Sequence, residues 1–126
     1  MTRERQQTLV TKYPELFRDY GGDPTKTCMA WGIECGDGWY DIIDALCAVM
    51  VADDPPVWFM QIKEKFGTLR VYVCGGSERT DACVRMAEIL SGCTCETCGT
   101  QGSTSEYHGW WRTECQECAR KRTESV

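Results

Sequence analysis

Apolar residues recur at Trp39, Ile42, Ile43, Leu46, Cys47 and Met50, the three-and-four spacing that places side chains on one face of a helix. Asp37 stands ahead of this stripe as the expected N-cap, and Pro55-Pro56 ends the segment, since proline cannot continue a helix. Upstream, the pattern predicts a helix to about Tyr13, then a short turn from Pro14 through Phe17 and a loop at Gly21-Gly22-Asp23-Pro24. Cys28 to Gly36 is glycine-rich and reads as irregular. Val57–Lys63 and Leu69–Cys74 are β-rich runs joined by Glu64-Lys65-Phe66-Gly67-Thr68, which predicts a hairpin. Gly75-Gly76 closes it. Ala82, Val84, Met86, Ala87, Ile89 and Leu90 then give a further helical pattern from Ser77 to Leu90, with Gly92 as its stop.

The last 34 residues, Cys93 to Val126, have a different character. Cys95 and Cys98 form one C-x2-C pair, and Cys115 and Cys118 form a second after a gap of 16 residues. That spacing is the signature of a four-cysteine zinc site. Zinc held by four thiolates leaves no position for water or substrate, so the expected ion is structural. Cys93 and His108, the only histidine, are alternative ligands, and disulfides are the competing chemistry. Gly99, directly after Cys98, favours the first assignment because it permits a tight turn around the metal. The order of pair, hairpin with Trp110, Trp111 and Arg112, and helix beginning at Cys115 is that of a treble-clef or zinc-ribbon module.

These elements predict an α+β fold, a small hairpin sheet packed with two or three helices plus the C-terminal zinc module. The expected division is 1–92 and 93–126, packed as one unit. Of the remaining cysteines, Cys47 belongs to the apolar stripe. Cys28, Cys35, Cys74 and Cys83 are left open as a second metal site, their spacing being undiagnostic.

Charge changes this picture in one place. The net charge is −5 over 126 residues, yet Thr27 to Ile62 contains six acids and no Lys or Arg. Asp37, Asp41 and Asp44 fall on one side of the predicted helix, and Asp53 and Asp54 follow its far end. Such a surface is either a solvated face or a docking face for a basic partner, a field that speeds encounter and repels DNA. Lys63, Lys65 and Arg70 on the hairpin are candidate phosphate or nucleotide contacts. Arg112, Arg120, Lys121 and Arg122, beside Trp110 and Trp111, are the candidates for nucleic-acid binding. The bland expectation for the two tryptophans is burial, one on the zinc knuckle and one on the core.

No P-loop, dinucleotide fingerprint or deaminase signature is present, and a non-enzymatic protein is expected. No apolar run approaches the length of a membrane span, and no secretory signal is visible at the start. A cytoplasmic setting is the expectation.

Cys35-Gly36-Asp37-Gly38-Trp39-Tyr40-Asp41-Ile42-Ile43 and Lys63-Glu64-Lys65-Phe66-Gly67-Thr68-Leu69-Arg70-Val71-Tyr72, together with the cysteine pairs, resemble small proteins encoded by bacteriophages and prophages. The resemblance covers roughly Cys28 to Cys118. It departs at Thr68, where that group usually has glycine, and at Val71, where it has an aromatic residue. The group is functionally uncharacterised. The resemblance implies a host-cell cytoplasm and a partner there, such as a DNA-binding defence complex of the CRISPR type that the protein inhibits. It implies no reaction.

Overall fold

The computed structural model describes residues 1–124. The elements are α1 (Arg3–Lys12), β1 (Ile33–Glu34), α2 (Tyr40–Met50), β2 (Val57–Lys65), β3 (Thr68–Gly75), α3 (Glu78–Ser91), β4 (Ser103–Tyr107), β5 (Trp110–Glu114) and α4 (Gln116–Glu124). This is the α+β fold that the sequence predicts. Among the described residues no helix is long and apolar enough to cross a membrane.

The first sheet has the order β1-β2-β3. β2 and β3 are antiparallel, with Ile62 opposite Val71 and Lys63 opposite Arg70. The register shifts between Phe59 and Gln61, which is the mark of a bulge. β1 is a strand the sequence does not announce, because two residues are too short for an alternating pattern. It runs parallel to β2, with Ile33 opposite Ile62.

Val57, Phe59, Ile62 and Leu69 turn one face of this sheet toward Leu9, Leu16, Phe17, Met29, Trp39, Ile43, Leu46, Cys47 and Met50, all buried. The stripe read from the sequence on α2 is therefore the centre of the core. Burying a large aliphatic or aromatic side chain of this kind stabilises by roughly 1.5–3 kcal/mol. α3 packs on α2 and on β3, with Thr80, Ala87 and Ser91 buried. Of the apolar positions that predict α3, Val84 is half-buried, while Met86, Ile89 and Leu90 are exposed.

The start of α2 differs from expectation. A 3-10 turn at Asp37–Trp39 precedes it, capped by Gly36, and the α-helix begins at Tyr40. Asp37 is thus not the helix cap. Its carboxylate accepts from the Thr2 amide at 2.8 Å and lies 3.8 Å from the Arg5 guanidinium.

Candidate metal centre

Cys95 and Cys98 lie in the turn that follows α3, Cys115 lies just before α4, and Cys118 sits in the first turn of α4. The turn is shaped by backbone bonds. The Cys95 carbonyl accepts from the Gly99 amide at 2.9 Å, and the Cys95 amide donates to the Thr100 carbonyl at 2.7 Å. Gly99 has φ +83°, a conformation that glycine adopts without penalty. Between the pairs, β4 and β5 form the hairpin, in register from Ser103–Glu114 to Tyr107–Trp110.

The four sulfurs lie within 4.8 Å of one another, and Cys98 Sγ is 3.7 Å from Cys115 Sγ. Four sulfurs at about 2.3 Å from a tetrahedral zinc stand about 3.8 Å apart, so the spacing fits the ion. A disulfide needs about 2.05 Å, and all ten cysteines are free. The four thiols make a site for one zinc ion. Thr100 Oγ1 is 3.0 Å from Cys98 Sγ, and the Cys118 amide donates to Cys115 Sγ at 3.4 Å. The Thr100 hydroxyl and amide hold the Cys98 thiol down at about 6, and the Cys118 amide lowers Cys115. Desolvation and the neighbouring sulfurs push Cys118 up to about 12, a strain that a cation at the centre relieves. His108 stands apart, in the β4–β5 turn against Tyr107.

Among the described residues no second group of three or more metal-ligating side chains occurs. Cys28 is exposed, while Cys35 and Cys47 are buried thiols raised by burial, Cys35 to about 12. They behave as small apolar residues.

The zinc module is tied to the core by the two segments quoted above. Gly38 donates to the Glu96 carbonyl at 2.7 Å, Gly36 donates to Glu96 Oε2 at 2.9 Å, and the Trp39 indole donates to the Thr94 carbonyl at 2.8 Å. A Cβ on Gly38 would stand 2.1 Å from the Cys95 carbonyl oxygen. Glycine is required there by close approach. On the other side, the buried Thr113 hydroxyl donates to the Gly67 carbonyl at 2.6 Å, at the tip of the β2–β3 hairpin.

The five central carboxylates divide. Asp44 accepts from Lys12 Nζ at 2.8 Å and from the Tyr13 hydroxyl at 3.0 Å. Asp53, with a side chain only 2% exposed, accepts from Thr80 Oγ1 at 2.5 Å and from Arg79 at 3.1 Å. With Asp37 held by Thr2 and Arg5, three of them fasten α1 and α3 to the core. Asp41 and Asp54 remain exposed. The hairpin cations also separate. Arg70 is bonded to Glu88 at 3.0 Å and Lys63 is its partner in register, whereas Lys65 lies over the Phe66 ring.

Trp110 and Trp111 overturn the expectation of burial, being 63% and 41% exposed. The two-stranded sheet buries only Thr113 of β5, and no layer covers its other side. With Phe66, 64% exposed, they line a groove of about 310 Å³ between the two hairpin tips, completed by Glu64, Lys65 and Gly109.

Comparison with family models, with curated proteins and with solved structures finds no match to this chain.

Proposed function

We propose that this protein is a non-catalytic binding module that acts by occupying a surface of another protein, with zinc holding the binding surface rigid. The observation that carries this reading is the exposed ridge of Phe66, Trp110 and Trp111 along one groove beside the two hairpin tips. Large aromatic side chains with few rotatable bonds dominate the energetics of protein interfaces. Exposing three together has a solvation cost that a monomer with no partner gains nothing from. The preferred partner surface is basic. Glu64 lines the groove, exposed Asp41 and Asp54 add to a net charge of −5, and aromatic faces attract arginine and lysine. The resemblance to phage-encoded proteins points to a host complex with a nucleic-acid channel as that partner, and to inhibition as the outcome in a host cytoplasm.

The test is a quantitative pull-down from nuclease-treated bacterial lysate. Wild type is compared with Phe66→Ala/Trp110→Ala/Trp111→Ala and with Asp41→Lys/Asp54→Lys. The aromatic variant loses the captured complex, since even one interface hot spot contributes about 2 kcal/mol, roughly thirtyfold in Kd. The charge variant weakens capture and flattens its salt dependence. A complex retained by the aromatic variant at wild-type yield sinks the reading.

One observation favours a second reading. Arg112 lies 5.6 Å from the Trp110 ring and Lys65 lies 5.6 Å from the Phe66 ring, the mix of cation and ring that stacks on unpaired bases. Against it, Arg120 is bonded to Glu117 and Glu124, and Arg122 to Glu114. Binding of labelled single-stranded DNA that falls steeply with salt separates this reading from the first.

A further inference from the structure

A second, wider concavity shares no residue with the aromatic ridge. It is a cleft of about 690 Å³, within the 300–1,000 Å³ range of small-molecule sites. Gln61 and Tyr72, opposite one another in register, belong to its β2–β3 side. The loop Pro24–Cys28 contributes Lys26, and α3 contributes Asp81, Val84, Arg85 and Glu88. Those four positions are spaced i, i+3, i+4 and i+7, one stripe of the helix. The buried residues of α3, Thr80, Ala87 and Ser91, belong to another face. α3 therefore presents a charged stripe to this cleft while a separate face packs into the core.

Five polar side chains of this cleft are unspent. Among the described residues the side chains of Lys26, Gln61, Tyr72, Asp81 and Arg85 have no hydrogen bond or ion pair. Arg70, next along the sheet face, is bonded to Glu88 on the wall, and its buried Nε has no partner. The lining carries Lys26 and Arg85 against Asp81 and Glu88, and because Glu88 is already bonded to Arg70, the side chains left without a partner are two cations and one carboxylate. Met60, Val71, Val73 and Val84 give the lining an apolar part beside Tyr72, and Thr25, Thr27 and Cys28 complete the loop side.

We propose that this cleft binds a mononucleotide. Lys26 and Arg85 supply charge for a phosphate, Tyr72 and the valines supply a flat apolar surface for a base, and Asp81 accepts from ribose hydroxyls. Lys26 and Arg85 are residues that the sequence pattern does not single out. They take the place of Lys63 and Lys65 as the anion contacts, and Arg70 stands beside them.

The experiment is thermal melting of the zinc-loaded protein with AMP, GMP, CMP, UMP and inorganic phosphate. Monophosphates are used because triphosphates chelate metal. At least one nucleotide is expected to raise Tm by about 5–10 °C at roughly a hundredfold excess over Kd. Lys26→Ala/Arg85→Ala removes the rise. Both side chains are exposed, so circular dichroism of this variant is expected to match wild type. Amide shifts on titrating the wild-type protein fall on Gln61, Tyr72 and Arg85, which locates the ligand without any substitution. No rise with any nucleotide overturns the proposal, as does a rise that survives in the variant. An equal rise with phosphate alone overturns the assignment to a nucleotide. Because Phe66, Trp110 and Trp111 lie outside the cleft, their replacement leaves the rise intact, and either proposal can fail without the other.

Discussion

Thr113 is the side chain that joins the zinc module to the tip of the β2–β3 hairpin. Its hydroxyl donates to the Gly67 carbonyl and lies 2.6 Å from the Thr104 hydroxyl, which in turn reaches the Gly92 carbonyl at 3.0 Å. Valine has nearly the same shape but leaves a buried carbonyl unpaired, at a cost of about 1–3 kcal/mol. Thr113→Val is expected to lower the unfolding free energy by that amount, read as a lower urea midpoint at an unchanged slope, and an unchanged midpoint would mean water replaces the hydroxyl. At this scale the sequence was legible where chemistry is local. The four cysteines announce themselves by spacing alone. Thr113 does not, because its partner is 46 residues away and nothing in the local pattern marks it. For the same reason the chain alone leaves Asp37, Asp44 and Asp53 open as a solvated face or a docking face. Their partners Thr2, Lys12 and Thr80 come from other elements, and an unpaired charge cannot be told from a paired one along the chain.

Among the elements, α1 is the most dependent on such long-range bonds. It buries only Leu9 of its ten residues, and ten residues are too few for a helix to persist alone in water. Its C-terminal end is held by Lys12 and Tyr13 on Asp44. The Lys12 ammonium first, and the Tyr13 hydroxyl with it, hold the Asp44 carboxyl below the usual carboxylate range. A carboxyl whose folded value is depressed contributes stability that is fully present above the unfolded value, about 3.9. The contribution is lost as pH falls through the lower folded value. Amide exchange in α1, taken relative to the unfolded chain at the same pH, is therefore expected to stay slow from pH 7 to about 4 and to quicken below that. Asp44→Asn makes it quicker throughout and removes the extra acid step. The pair is half exposed on the lysine side, so the effect is modest and confined to α1. Exchange that quickens equally in α2 would show that α1 is part of one cooperative block. The helices and the main hairpin were legible because their apolar periods are sustained. β1 and the 3-10 turn before α2 were not, since two- and three-residue elements have no period and exist only through their neighbours.

For the whole molecule, the familiar segments turn out to be its joints. The stretch around Gly36 and Gly38 seats the zinc turn, and the tip at Gly67 receives Thr113. The module is bonded to the core at both of these places, so the two are expected to unfold together although the composition of the module marks it as separate. Structural zinc in small peptides contributes about 10–16 kcal/mol of binding free energy. Here the turn that holds the ion also accepts the indole bond of Trp39, a buried residue of the core. Removing the ion with a strong chelator, or replacing Cys115 and Cys118 with serine, is expected to lower Tm well beyond the effect of Thr113→Val. The melting should remain a single transition, with amide protection in α2 and β2 lost together with that in α4. Cys28→Ser, a change at an exposed thiol outside the site, serves as the control and leaves Tm in place. Metal analysis of protein purified without added zinc should find about one ion per chain. Protection that persists in α2 and β2 while β4, β5 and α4 melt would show an independent core. In that case, the bonds through Gly38, Trp39 and Thr113 position the module without sharing its stability.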